Sequence, residues 1–147
     1  MEHGFVYLTA IIDWYSRYIV GWHLDDTLDT TAALVAVERS FGTARPDILN
    51  SDQGCQFTSH LYTDYLKEKK VQISMDGKGR WADNIMIERW FRSLKHEEVY
   101  LNEYKNLRDA KAKIASYIAT YNWDRHHSAI GYKTPASVYH QAEIQVA

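Results

Sequence analysis

The spacing of apolar positions along the chain changes several times, and each change marks an element. Phe5 to Ile12 (FVYLTAII) is an apolar run of β-branched and aromatic residues, and Arg17 to Leu24 (RYIVGWHL) is a second. Asp13, Trp14, Tyr15 and Ser16 separate the two, which predicts a β-hairpin with a short loop. Asp29-Thr30-Thr31 offers a cap for a helix whose apolar residues Ala33, Leu34, Val37 and Phe41 recur at helical spacing. Pro46 stops any continuation. Ile48 to Ser51 reads as a short buried strand with Asp52 at its C-terminal end. Gly54 marks a turn, Thr58-Ser59 caps a helix through Leu61, Tyr65 and Leu66, and Val71 to Met75 is a further strand. Gly77 to Arg80 is a basic loop, after which Asp83 caps a helix striped by Ile87, Trp90, Phe91 and Leu94. A long helix follows from about Leu107 to Trp123, with Ala110, Ile114, Tyr117, Ile118 and Tyr121 along one side. Strands followed by alternating helices and strands predict an α/β sheet flanked by helices.

Composition narrows the class. A chain of 147 residues fits one domain with a real core. Its 46% hydrophobic and 24% charged residues exclude a disordered polymer. No apolar run approaches the roughly 20 residues that cross a bilayer, so no membrane association is expected. The opening Met-Glu-His-Gly does not read as a secretory signal. Cys55 is the single cysteine, which excludes an internal disulfide and fits a reducing cytosol, so a cytoplasmic location is expected. The net charge of −2 hides an asymmetry: residues 1–66 carry three Lys/Arg against nine Asp/Glu, and residues 67–133 carry fourteen against nine. The second part is where a polyanion would be held, although solvated helix faces account for the same charges.

Two carboxylates stand out by position. Asp52 lies where a strand gives way to a loop, the usual edge for sites in open α/β sheets. Glu88 shares a helix face with Asn84 and Arg92, one turn to either side, and with Lys95 two turns on. Carboxylates brought together by a fold supply the hard oxygen ligands that Mg²⁺ requires. Read singly, each is more simply a cap or half of a surface ion pair.

Spacing and motif change that balance. Ser51-Asp52-Gln53-Gly54-Cys55-Gln56-Phe57-Thr58-Ser59 is similar to the second-aspartate motif of DDE transposases and integrases. Asp83-Asn84-Ile85-Met86-Ile87-Glu88-Arg89-Trp90-Phe91-Arg92-Ser93-Leu94-Lys95 resembles their glutamate helix, including the basic residue seven beyond the glutamate. Between Asp52 and Glu88 lie 35 residues, the family's separation. Tyr121-Asn122-Trp123, His126 to Tyr132 and Thr134-Pro135-Ala136 resemble the C-terminal motif of insertion-element transposases.

The resemblance implies an RNase H-like mixed sheet flanked by helices, over an integrase-type catalytic core at 1–139 with a C-terminal tail at 140–147. It implies nicking and strand transfer at DNA ends, with Asp52 and Glu88 as catalytic metal ligands for two Mg²⁺ or Mn²⁺ ions. Lys95, Arg92, Asn84, Lys78 and Arg80 are the expected DNA contacts. The implied partners are element ends and target DNA, and a second copy or a full-length transposase, in a bacterial cytosol or nucleoid. A catalytically inactive DNA-binding or interaction module derived from a transposase is the rival expectation.

The same resemblance aligns Phe5 to Ile12 and Ile19 to Trp22 with the family's second and third strands. The first strand and the first catalytic aspartate are then expected to be missing from these 147 residues, an N-terminally truncated core. Asp13 follows a strand but stands at a hairpin turn, and a turn-capping role is expected for it. Loss of a central strand leaves three outcomes open: poor folding, re-pairing of the neighbours across the gap, or a strand borrowed from another copy.

Other residues carry plainer expectations. Only His126 and His127 are adjacent histidines, and neighbouring side chains point apart, so no shared zinc is expected. Cys55 is expected to be inert. Trp90, Tyr117 and Tyr121 read as core, and Trp81 is either core or a platform for an unpaired base.

Overall fold

The protein was analysed as a computed structural model, which describes residues 6–27, 30–42, 45–51, 57, 59–75 and 85–146, with backbone alone at 75 and 141–146. Strand β1 (Tyr7–Ile12) pairs antiparallel with β2 (Ile19–Asp25), as the two apolar runs predict. The register shifts between Ile11 and Ile12, next to the loop. That loop is held by Asp13, whose carboxylate accepts from the Ser16 backbone N–H at 2.9 Å and from its hydroxyl at 2.6 Å. Arg17 takes a positive φ of 65° to close the turn. Asp13 is therefore occupied as a turn residue, the role expected of it.

Helix α1 (Thr30–Ser40) packs back across β2, and the close approach is made at Gly21. A Cβ there would stand 2.6 Å from the Ala36 carbonyl oxygen and 2.7 Å from the Ser40 nitrogen, so no side chain fits. Strand β3 (Ile48–Ser51), helix α2 (His60–Glu68) and strand β4 (Gln72–Met75) form a crossover unit in which β3 and β4 run parallel. Ser59 caps α2 by accepting from the Tyr62 N–H. At the far end, Lys70 adopts φ 60°, its N–H donates to the Lys67 carbonyl, and the Val71 N–H donates to the Leu66 carbonyl at 2.9 Å. This paired ending drops the chain directly into β4, with Val71 and Leu66 both buried.

Helix α3 (Ile85–Leu94) runs into a single π-helical turn, Lys95–Val99. Helix α4 (Leu107–Trp123) has the bounds read from its apolar spacing, with Asn106 as its cap. The sequence reading did not anticipate the π-helical turn or the last helix, α5 (Pro135–Val146). Pro135 opens α5, where its missing N–H costs nothing, and the Thr134 hydroxyl accepts from the Ser137 N–H at 3.3 Å.

Helices pack against both faces of β1. On one side α1 and α2 pack Ala33, Val37, Tyr62 and Leu66 against Ile11, Leu49 and Ile73. On the other, Trp90 and Leu94 of α3 and Ile114 and Ile118 of α4 pack against Leu8, Ala10 and Ile12 of β1. The strand alternation sends Ile11 to one core and its neighbours Ala10 and Ile12 to the other. Asn122 fixes α4 to β2. Its buried side chain accepts from the Ile19 N–H at 2.9 Å and donates to the Ile19 carbonyl at 3.1 Å.

The strands do not form one sheet. Among the described residues β1 ladders only to β2, and β3 only to β4.

Candidate active site

The stripe that buries α3 decides what it exposes. Trp90 and Leu94 are in the core and Ile87 and Phe91 pack against it, which turns Glu88 and Arg92 to the surface. One turn on, the backbone changes to π-helical bonding at Lys95, whose carbonyl accepts from the Tyr100 N–H at 2.9 Å. Glu88, Arg92 and Lys95, with Phe91, His96 and Tyr100, line one open depression of about 430 Å³. The shared face expected from their spacing is present.

Glu88 makes no hydrogen bond or ion pair with any described residue, and neither Arg92 nor Lys95 belongs to one of the described ion pairs. Among the described residues, the rim thus holds one carboxylate and two cations without ion-pair partners within two helical turns. Glu88 also borders a second, larger cavity of about 810 Å³, whose wall includes Ser51 at the end of β3. Asp52, Asn84, Lys78 and Arg80 lie outside the described residues, as do Cys55 and Trp81.

The π-helical turn is held in place from α4. Glu97 accepts from the Tyr117 hydroxyl at 2.5 Å and from the Arg125 guanidinium at 2.7 Å. Burial pushes the Glu97 carboxyl up, but the hydrogen bonds from Tyr117 and Arg125 outweigh it and hold it below its ordinary value. Burial first, and then Glu97, raise the Tyr117 phenol. Arg125 also lies over the Tyr117 and Tyr121 rings, 5.7 and 5.8 Å from their centroids. This clamp fixes the segment that begins at Lys95. Sequence spacing gave no sign of it, because its members are 20 and 28 residues apart.

The two adjacent histidines separate as expected. His126 is exposed, whereas His127 packs edge-on against Tyr121 at 5.2 Å. Burial lowers the His127 imidazole, and the nearby charges of Arg125, Arg17 and His126 lower it further. Asn122, quoted in a motif but given no role by sequence reasoning, belongs to the frame and not to the rim.

Among the described residues no three His, Cys, Asp or Glu side chains form a ready ligand set. The fit to a divalent cation therefore rests on Glu88, an exposed carboxylate with no competing partner among the described residues and so a suitable hard oxygen donor.

Comparison with known proteins places the chain in the integrase core domain family. Two models, each described as "Integrase core domain", match residues 1–80 and 69–135. Over 138 residues the chain is 34% identical to the transposase for insertion sequence element IS904 of Lactococcus lactis subsp. lactis, covering 91% of this chain and 54% of that protein. It is 33% identical over 135 residues to the transposase for IS629 of Shigella sonnei, covering 90% of this chain and 46% of that one. The chain thus spans about half the length of the curated relatives it matches. Among solved structures it resembles the catalytic core domain of BIV integrase, with a TM-score of 0.76 at 17% identity over 94% of this chain and 88% of that one. It also resembles the HTLV-2 integrase catalytic core domain solved in complex with magnesium, with a TM-score of 0.64 at 14% identity over 88% of this chain and 90% of that one. The shared fold is RNase H-like.

Proposed function

We propose that this chain, which belongs to the integrase core domain family, is the catalytic-core portion of an insertion-element transposase and holds part of a metal-dependent DNA-joining site. One observation carries the reading: the carboxylate of Glu88 stands on one exposed face with the cations Arg92 and Lys95, none of them ion-paired among the described residues, and borders a cavity shared with Ser51, the residue before Asp52. Asp52 and Glu88 are the residues that would hold Mg²⁺ or Mn²⁺. Cations bound there would supply Lewis-acid activation of attacking and leaving oxygens in phosphoryl transfer.

The chain's own residues do the rest. Arg92 and Lys95 place positive charge beside the carboxylate, where they hold the phosphates of a DNA end in register without reading its sequence. Asn84, Lys78 and Arg80 extend that contact. The Glu97–Tyr117–Arg125 clamp keeps Lys95 at a fixed position relative to Glu88. The 147 residues supply two of the three carboxylates that the resemblance calls for. By themselves they are expected neither to nick nor to join DNA ends.

The test is duplex binding by the 147-residue chain as a function of salt. Lys95→Ala and Arg92→Ala should each lower the slope of log affinity against log salt by about 1, with uniform loss across sequences. Slopes unchanged in both variants would remove DNA from this face and with it the reading. Salt-sensitive binding with full strand-joining activity would refute the incomplete site.

A further inference from the structure

The motif from Tyr121 to Ala136 takes no part in the Glu88 face, and its loop is built around a single bridge. The His127 N–H donates to the Lys133 carbonyl at 3.1 Å, and the Tyr132 N–H donates to the His127 carbonyl at 2.7 Å. The bridge sets Lys133 directly across from His127. The turn between β1 and β2 is fastened to the same place, because Ile19 is held by Asn122. Tyr18 stacks on Tyr139 of α5 with ring centroids 4.6 Å apart. Arg17, next in the chain, is thereby fixed close enough for its charge to act on both Tyr121 and His127.

Three groups that carry or can take positive charge meet there without an anion. The Arg17 guanidinium donates to the Trp14 carbonyl at 3.0 Å and lies against the Met86 sulfur, and neither of these is charged. Lys133 is exposed, and neither it nor Arg17 belongs to an ion pair among the described residues. The His127 ring makes no hydrogen bond to a described residue. Its Nε2 is buried without a partner, so an outside acceptor meets the ring at Nδ1. Arg125, Arg17 and His126 all lower the His127 imidazole, and no carboxylate counters them. The acids of the surrounding elements are committed elsewhere: Glu97 to Tyr117 and Arg125, and Asp13 to Ser16. Asp124 is exposed and pairs with none of the three. Backbone strain marks the same spot. Arg17 (φ 65°) and Tyr132 (φ 61°) are two of the three non-glycine residues at positive φ among those described.

We propose that Arg17, His127 and Lys133 form a second phosphate-binding site, which takes a phosphodiester of a nucleic-acid backbone apart from the Glu88 face. A guanidinium, an imidazole N–H and an ammonium are all donors that phosphate oxygens accept from. Arg17 touches Met86, nine residues before Lys95 and so roughly 14 Å away along the helix axis. The two sites therefore hold different phosphates. The choice of nucleic acid among phosphate carriers rests on the DNA-joining reading, whereas the site itself stands on its own geometry.

The test is binding of a labelled duplex of arbitrary sequence to the whole 147-residue chain across a salt series, with the His127 imidazole followed by NMR. Arg17→Gly removes the guanidinium at a position whose φ of 65° suits glycine, so the Tm should be kept. It should lower the slope of log affinity against log salt by about 1, and Arg17→Gly combined with Lys95→Ala should lower it by about 2. Arg17→Lys, which keeps the charge, should restore most of the slope. A bound phosphate offsets the positive charges around His127, so duplex should raise the pH at which this imidazole titrates. An unchanged slope in Arg17→Gly, or a His127 titration that duplex does not move, overturns the proposal. With Lys95→Ala still lowering the slope, the DNA-joining reading survives that failure; with neither variant lowering it, both fall. A His127 response to inorganic phosphate but not to duplex would mean a small-anion site, and overturns the proposal as well.

Discussion

The two half-sheets are built in opposite ways. β1 and β2 are an antiparallel hairpin of six and seven residues, closed by a turn that Asp13 holds and locked from the side by Asn122 of α4. β3 and β4 are a parallel pair of four residues each, and they meet only because α2 carries the chain from one to the other. The first pair is assembled by local contacts and then anchored. The second depends on the core under α1 and α2 and on the helix ending at Lys70. Parallel ladders are the less stable per residue, so β3 and β4 are the weaker pair.

Substitutions in each half sharpen that contrast. Gly21→Ala should have the largest effect. Its Cβ would meet backbone atoms of α1 at 2.6 and 2.7 Å, which cannot rotate away, so a cost above about 3 kcal/mol is expected in urea unfolding. Asn122→Ala leaves the Ile19 N–H and carbonyl buried without partners and should cost about 2–4 kcal/mol. Hydrogen exchange should show that loss in β1 and β2 before it shows in β3 and β4. Lys70→Gly acts on the other half and with the other sign. It removes the penalty of a side chain at φ 60° on an exposed residue, and should raise stability by about 1 kcal/mol.

The smallest effect is a pH dependence near the anchor of β2. The folded chain holds the His127 imidazole below its ordinary 6.5, so below that pH the unfolded chain takes up a proton that the folded one refuses. Stability should therefore fall as pH drops from about 6.5 toward the folded value, and be restored as pH rises. His127→Asn should flatten this part of the profile of Tm against pH. An unchanged profile would show that His127 is not its source.

Much of the contrast was legible before the structure. The hairpin runs, the period of α4 and the cap at Ser59 are local signals, and local signals survive into the fold. The face carrying Glu88, Arg92 and Lys95 was legible for the same reason, since helical spacing alone brings those positions together. What failed to show was long-range. The π-helical turn is set by Glu97 meeting residues 20 and 28 positions away, and the role of Asn122 depends on a strand 103 positions earlier. Helix α5 announced itself only by Thr134-Pro135, a start signal read as motif rather than as a cap. That β1–β2 and β3–β4 form separate ladders among the described residues is likewise a long-range property that periodicity does not carry.

The central claim is that Glu88 and Asp52 serve one divalent cation site. The direct measurement is Mn²⁺ binding to the 147-residue chain by calorimetry, repeated with Glu88→Gln and Asp52→Asn, which keep shape and remove charge. Binding to the parent chain that falls roughly tenfold or more in each variant, as loss of a charged oxygen ligand from a shared site requires, is the predicted result. Binding that survives both substitutions, or no binding by the parent chain, would contradict the account.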